Sequence, residues 1–143
     1  MNSIRDEAVA LDTNVFIFAL RRDPDHPACE ILLFDKLDQL RVYMPLQVLI
    51  ELQRKLLPDE MRGVLLALTK ARVVKWDYAP ARLDLVARWQ ERGAKKGDAV
   101  IAAHLEAAGV PYLISENRDF LIELTELPFE AFTAEKALRL LGE

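Results

Sequence analysis

The sequence predicts an α/β domain built on a central parallel sheet of about four to five strands. Three observations predict it. Short apolar runs alternate along the chain with longer segments of helical periodicity. No repeat, linker or low-complexity tract interrupts that alternation, so residues 1–143 read as a single domain. The first run, Val9-Ala10-Leu11, is continuously apolar, as a strand covered on both faces must be. In such sheets the right-handed crossover rule puts all strand carboxyl ends on one edge, and ligands bind there.

Composition narrows the class. The chain has 143 residues, 52% of them hydrophobic and 29% charged, so it can bury a core and is not disordered by composition. A net charge of −4 excludes a globally basic nucleic-acid binder, although the 19 Lys and Arg leave room for a local basic patch. Cys29 is the only cysteine, which rules out an intrachain disulfide and suits a reducing cytoplasm. With two histidines beside it, a Cys/His zinc cluster within one chain is excluded, and a metal would need oxygen ligands. The segment Met1–Glu7 is charged and lacks a signal peptide's apolar region. No apolar run approaches the ~20 residues of a membrane span. A soluble, cytoplasmic protein with no membrane partner is expected.

In chain order, the first strand covers residues 7–11 and ends at Asp12. Thr13 or Asn14 can then cap a helix over 13–21, which Arg21-Arg22-Asp23-Pro24 ends, and on this stretch alone Asp12 itself reads as a turn or cap residue. Pro24 and Pro27 bracket a turn holding His26. Residues 28–40 read as one amphipathic helix through Ala28, Ile31, Leu32, Phe34, Leu37 and Leu40. Residues 41–44 are the second strand, and Pro45 suits the first turn of a helix over 46–57. Glu51 stands in the most apolar part of that helix, where it needs either a salt bridge, for instance to Lys55, or a metal. A further helix over 59–71 places Met61, Val64, Leu65 and Leu68 on its apolar face.

Residues 72–76 are the third strand, followed by an amphipathic helix over 80–92 through Leu83, Val86, Ala87 and Trp89; Trp76 and Trp89 are assigned to the core. Asp98 is expected as N-cap or first residue of a helix that stops at Gly109. His104, about 240° round that helix from Asp98, is read as structural. Residues 110–115 are the fourth strand, leading into Glu116-Asn117-Arg118-Asp119-Phe120 and a short helix or turn over 120–124. A last strand covers 128–132, and Thr133 caps a helix over 134–141.

Asp12, Asp98 and the pair Asn117/Asp119 fall at strand ends or helix starts, and Glu51 lies on a helix that follows a strand. One sheet edge can gather all of them. Carboxylates held close repel one another. A hard divalent cation such as Mg²⁺ or Mn²⁺, held by carboxylates and water, resolves that repulsion. Such a site suits phosphodiester hydrolysis, because the ion acidifies water and neutralises phosphate charge.

Leu11-Asp12-Thr13-Asn14-Val15, Glu51 in its apolar helix, Gly97-Asp98-Ala99-Val100-Ile101-Ala102-Ala103 and Leu113-Ile114-Ser115-Glu116-Asn117-Arg118-Asp119-Phe120 resemble the four motifs of PIN domains. The chain looks most like the small ribonuclease toxins of prokaryotic toxin–antitoxin modules (VapC-like). The resemblance spans nearly the whole chain, with the motifs in order. It implies a three-layer α/β/α sandwich with a central parallel sheet and Mg²⁺-dependent cleavage of single-stranded RNA, leaving a 5′-phosphate and a 3′-hydroxyl. It also implies a homodimer and, in toxin members, a small antitoxin partner protein. Position by position, Asp12, Glu51 and Asp98 match the metal-binding acids. Thr13 or Asn14 matches the polar residue beside the first acid, and Ser115 matches the hydroxyl that organises the site.

The departure is at the fourth motif. Where the family pattern has an acid two residues after the hydroxyl, this chain has Asn117, and the next acid is Asp119. Either Asp119 fills that place, or Asn117 supplies a neutral oxygen and the site holds fewer metals. The chemistry expected is in-line attack of water activated by the metal, with Asp12 and Asp98 as main ligands and Glu51 and Asp119 binding a second ion or orienting the water. Arg118, Lys95 and Lys96 flank the acids; they either hold the substrate backbone or neutralise the acidic cluster.

Three rival readings stand beside the ribonuclease. One is a non-catalytic PIN-like binding or scaffold module with a metal site weakened by Asn117. Another is a phosphotransferase using Asp12 as nucleophile, although the second Asp such sites want two positions on is here Asn14. The last is a nuclease acting on DNA, which shares the same chemistry.

Overall fold

The computed structural model describes residues 3–142; Met1, Asn2 and Glu143, the ends of the expected span 1–143, lie outside the described residues. Its centre is one wholly parallel sheet of five strands: β1 (Ala8–Leu11), β2 (Arg41–Pro45), β3 (Val73–Asp77), β4 (Tyr112–Ile114) and β5 (Glu130–Phe132). The spatial order is β3-β2-β1-β4-β5. β1 is therefore central, and Val9, Ala10 and Leu11 are wholly buried, which accounts for their unbroken apolar run. The chain winds outward from β1 to β3, then crosses back to β4 and β5. The order thus reverses between β1 and β4, the crevice where such sheets bind ligands.

Helices α1 (Thr13–Leu20), α2 (Pro27–Ile31), α3 (Leu46–Lys55) and α4 (Pro58–Leu68) belong to the outward winding, and α5 (Leu83–Glu91) and α6 (Lys96–Ala108) to the return. The right-handed rule assigns the two groups to opposite faces of the sheet. The last helix, α7 (Ala134–Gly142), packs back against α2. The result is the expected three-layer sandwich. α6 ends at Gly109, whose φ of 68° lies in the left-handed region that favours glycine. Among the described residues no helix is long and apolar enough to cross a membrane.

Several boundaries differ from the sequence reading, each for a local reason. The helix expected over 28–40 is broken: after α2 comes one wide π-helical turn, Leu32–Lys36, and a 3₁₀ turn, Leu37–Gln39. The wide turn keeps Leu32, Leu33 and Leu37 all buried, and Phe34 is left partly exposed. Pro45 closes β2 and caps α3 rather than entering it, with an extended ψ of 149°. α3 stops at Lys55 instead of residue 57. β3 is an edge strand, so Trp76 is only half-buried and stacks on Tyr78, whereas Trp89 is buried as expected. Leu65 and Leu83, assigned to apolar faces, are exposed.

Candidate metal centre

The strand register explains why two distant residues meet. Leu11 pairs with Ile114, so the next residues, Asp12 and Ser115, leave the sheet side by side. Both still use their backbone amides in the ladder, Asp12 N to Ile114 O at 2.9 Å and Ser115 N to Phe132 O at 2.9 Å. Their side chains are buried and face each other: Ser115 Oγ donates to Asp12 Oδ2 at 2.7 Å. Asp12 Oδ1 accepts from Thr13 N at 2.8 Å. Of the three cap candidates in the sequence, Asp12 is the N-cap of α1, and Thr13 and Asn14 are not. Each Asp12 oxygen thus holds one hydrogen bond, and 4% of the residue's surface is exposed.

Thr13 and Asn14, freed from capping, tie the site together. Thr13 Oγ1 donates to Glu51 Oε1 at 2.9 Å, drawing the α3 carboxylate towards the end of β1. Asn14 Oδ1 accepts from Glu116 N at 3.3 Å and so joins α1 to the loop after β4. Glu51 does not pair with Lys55, the salt bridge considered from the sequence. Its second oxygen accepts from Gln47 Nε2 at 2.8 Å, one helical turn earlier. Two neutral donors steer this carboxylate without cancelling its charge. Lys55 instead acts on Asp12, favouring its ionised form from a distance.

The loop after β4 is built around Ser115 and Asn117. Ser115 Oγ accepts from Asn117 N at 2.9 Å, and Asn117 Oδ1 accepts from Asp119 N at 3.0 Å. Asn117 Nδ2 donates to Asp98 Oδ1 at 3.1 Å. Asp98 is the third residue of α6, with Lys95 at the cap position, rather than the cap expected from the sequence. Its carboxyl also lies within hydrogen-bonding reach of Asp119. At the fourth motif, then, the Asn117 amide is bonded to Asp98, and the Asp119 carboxyl lies beside the same Asp98 carboxyl.

Electrostatics show the cost of this gathering. Burial and the nearby Glu51 push the Asp12 carboxyl up, against the opposing hydrogen bonds from Ser115 and Thr13. The Asp98 carboxyl is pushed up to about 7, chiefly by burial, then by its contact with Asp119 and the charge on Asp12. Among the described residues, no three acidic, histidine or cysteine side chains form a ready-made metal cage. An ion bound here would rest on one or two carboxylates and keep most of its water, the habit of Mg²⁺. Room has been left for the third acid as well. A Cβ added at Gly97 would stand 2.9 Å from Glu51 Oε2, so glycine at this point of α6 is what lets the Glu51 carboxylate sit against the helix carrying Asp98.

The flanking cations divide. Lys95 Nζ lies 3.7 Å from Asp119 Oδ2 and so neutralises the cluster. Lys96 lines a groove with Gln47, Ile50, Glu51, Arg54, Gly97 and Val100. Arg118 is exposed and makes no hydrogen bond or ion pair to the acids among the described residues, so it is not brought into the cluster. Sequence reasoning missed Gln47 and Gly97. Their signals were an amide one turn before a half-buried acid and a glycine immediately before Asp98. Cys29 is buried beside Glu116, which with burial pushes its thiol up to about 12, so it is no nucleophile.

A family model described as the PIN domain matches residues 9–140. Comparison with curated proteins gave no match. Three solved structures share the architecture. VapBC2 from Rickettsia felis, in a crystal structure bound to a DNA fragment from their promoter, is 19% identical, with a TM-score of 0.58 over 87% of this chain and 98% of that one. Mycobacterium tuberculosis VapC20, described as a Sarcin-Ricin loop cleaving toxin, is 20% identical, with a TM-score of 0.53 over 80% and 94%. PAE2754 from Pyrobaculum aerophilum is 19% identical, with a TM-score of 0.55 over 96% and 98%. At these identities the likeness is one of fold.

Proposed function

The chain belongs to the PIN domain family, and on that premise we propose that it is a divalent-metal-dependent endoribonuclease and the toxin of a toxin–antitoxin pair. One observation carries the reading: the carboxyls of Asp12, Asp98 and Asp119 gather at the topological switch of the sheet, where burial first, and then these neighbours, push the Asp98 carboxyl up to about 7. A cluster that resists its own ionisation is one that a cation stabilises.

Asp12 and Asp98 would hold the ion, with Glu51 and Asp119 beside them. When bound, Mg²⁺ or Mn²⁺ supplies acidified water and neutralises charge on the phosphate. The chain's own residues do the rest. Ser115 and Thr13 N fix both oxygens of Asp12, Thr13 and Gln47 aim Glu51, and Asn117 aims Asp98. Asp119, beside Asp98, would accept a proton from the attacking water. Water oxygen bonds to phosphorus, the P–O3′ bond breaks, and the departing 3′ oxygen takes a proton from solvent. The products are a 5′-phosphate and a 3′-hydroxyl.

VapC20 is described as cleaving an RNA loop and VapBC2 as a complex, which supports RNA as substrate and a small antitoxin as partner for this chain. Leu57, Leu65 and Leu66, on and beside α4, are exposed apolar positions that a second copy of the chain could cover. The absence of a three-acid cage among the described residues, and the presence of Asn117, favour a second reading, a PIN-fold binding or scaffold module without catalysis. The test is cleavage of structured and unstructured RNAs with Mn²⁺, with EDTA, and by Asp98→Asn. Cutting that requires both the ion and Asp98, and leaves 5′-phosphates, supports the ribonuclease. Cutting that persists in EDTA refutes it.

A further inference from the structure

We infer that the groove between α3 and α6 is the track of the substrate strand and that Arg54 and Lys96 bind its phosphates, an assignment that rests on the ribonuclease reading above. α3 contributes Gln47, Ile50, Glu51 and Arg54, at spacings that share one helical face. α6 contributes Lys96, Gly97 and Val100, again from one face. Together they enclose about 500 Å³, within the range of ligand sites. The groove is continuous with the acidic site, because Glu51 and Gly97 belong to both.

Charge says what kind of occupant it takes. The chain carries −4 overall and concentrates carboxylates at the site, so a polyanion needs cations beside the acids to approach them. Arg54 and Lys96 have no ion-pair partner among the described residues. Lys95, by contrast, is held on Asp119, and Arg88 on Glu106. Arg54 adds a planar fork suited to phosphate oxygens. Ile50 and Val100, which line the same groove, are half-buried and apolar, an uncharged surface for a ribose or base. The one amide in the groove, Gln47, has its Nε2 committed to Glu51. The groove therefore reads the backbone and tolerates any base here.

The test uses a fluorescein-labelled, single-stranded oligoribonucleotide of mixed sequence and anisotropy across a salt series. Asp98→Asn serves as the parent, to keep the strand intact. One lost phosphate contact on a single strand lowers the slope of log affinity against log salt by about 0.7, about fourfold in affinity near 0.15 M salt. Arg54→Ala and Lys96→Ala should each show that loss, and the double variant about fifteenfold. Arg54→Lys should keep the slope, and Arg139→Ala on α7, paired with Glu135, should match the parent. Mn²⁺ binding, measured in the wild-type background, should be unchanged by Arg54→Ala. A double variant that binds the oligomer with the parent's affinity and slope overturns the track and leaves the ribonuclease standing. A parent that binds no RNA, together with a wild type that cuts none in Mn²⁺, overturns both.

Discussion

Ser115→Ala isolates the contact between the two strand ends that the fold brings together. Ser115 Oγ serves two partners: it donates to Asp12 Oδ2 at 2.7 Å and accepts from Asn117 N at 2.9 Å. Losing a hydrogen bond to a buried carboxylate costs about 1.5–3 kcal/mol, and leaving a half-buried amide unpaired adds about 1 kcal/mol. The cavity left by one oxygen is negligible. The sum is about 2.5–4 kcal/mol, which in a chain of this size lowers Tm by about 8–15 °C. The loss should depend on pH. Ser115 lowers the Asp12 pKa, so the alanine variant raises it further, and protonation of Asp12 then removes most of the penalty. The assay is thermal unfolding of both proteins in EDTA at acid and neutral pH, followed by Mn²⁺ titration, where losing the residue that orients a ligand should weaken affinity about 10–100-fold. A loss below about 1 kcal/mol, equal at both pH values and without effect on Mn²⁺, would refute the reasoning.

Gly97→Ala should be nearly neutral for folding, because alanine in a helix recovers up to about 1 kcal/mol while Glu51 gives up hydrogen bonds worth about as much. The same change should weaken Mn²⁺ binding, since the Glu51 carboxylate must move; unaltered titration would show that Glu51 lies outside the metal site. The Asp98 carboxyl binds its proton more tightly in the fold than in the unfolded chain, so the metal-free protein should lose stability as pH rises from about 4 to about 7 and hold level above that. Thermal scans in EDTA should show that fall in the wild type and not in Asp98→Asn; a wild type that gains stability over the window contradicts the placement of Asp98. Asp119→Asn should lower the Asp98 pKa and weaken Mn²⁺ binding, whereas Asn117→Asp should raise that pKa by adding a third charge, both followed by carbon-detected NMR titration of the carboxylates. A variant in which Asp119→Asn leaves both quantities unchanged would show that Asp119 does not fill the fourth position.

Periodicity made the layers legible. Val9-Ala10-Leu11 could only be a strand buried on both faces, and the alternation with helices left a parallel sheet as the natural outcome. Element ends were less legible, because they depend on tertiary packing. Pro45 is as good at a strand end as at N1 of a helix, and only the pairing of Pro45 with Asp77 decides between them. The wide turn at Leu32–Lys36 arises because three leucines must be buried together, which a helical wheel does not reveal.

In the site, Asp12, Asp98 and Asp119 stood out in the sequence because they fall at strand ends or helix starts, and Glu51 because it interrupts an apolar helix face. Their partners did not. The capping oxygen turned out to be Asp12 itself, since β1 hands its last amide to Ile114 and turns at once into α1. Glu51 was matched to Lys55 by sequence proximity, yet Thr13, far away along the chain, reaches it through the sheet edge. Asn117 reads in the sequence as a lost charge; in the fold its amide bridges the loop to Asp98, a role that an acid there could not fill without a proton.

The most direct test of the metal centre is calorimetric titration of Mn²⁺ into the wild type and into Asp98→Asn, since it requires no knowledge of the RNA. Heat of binding in the wild type that vanishes in Asp98→Asn is the predicted result. A wild type that takes up no Mn²⁺ would contradict the hydrolytic account and leave the PIN-fold scaffold as the reading of this chain.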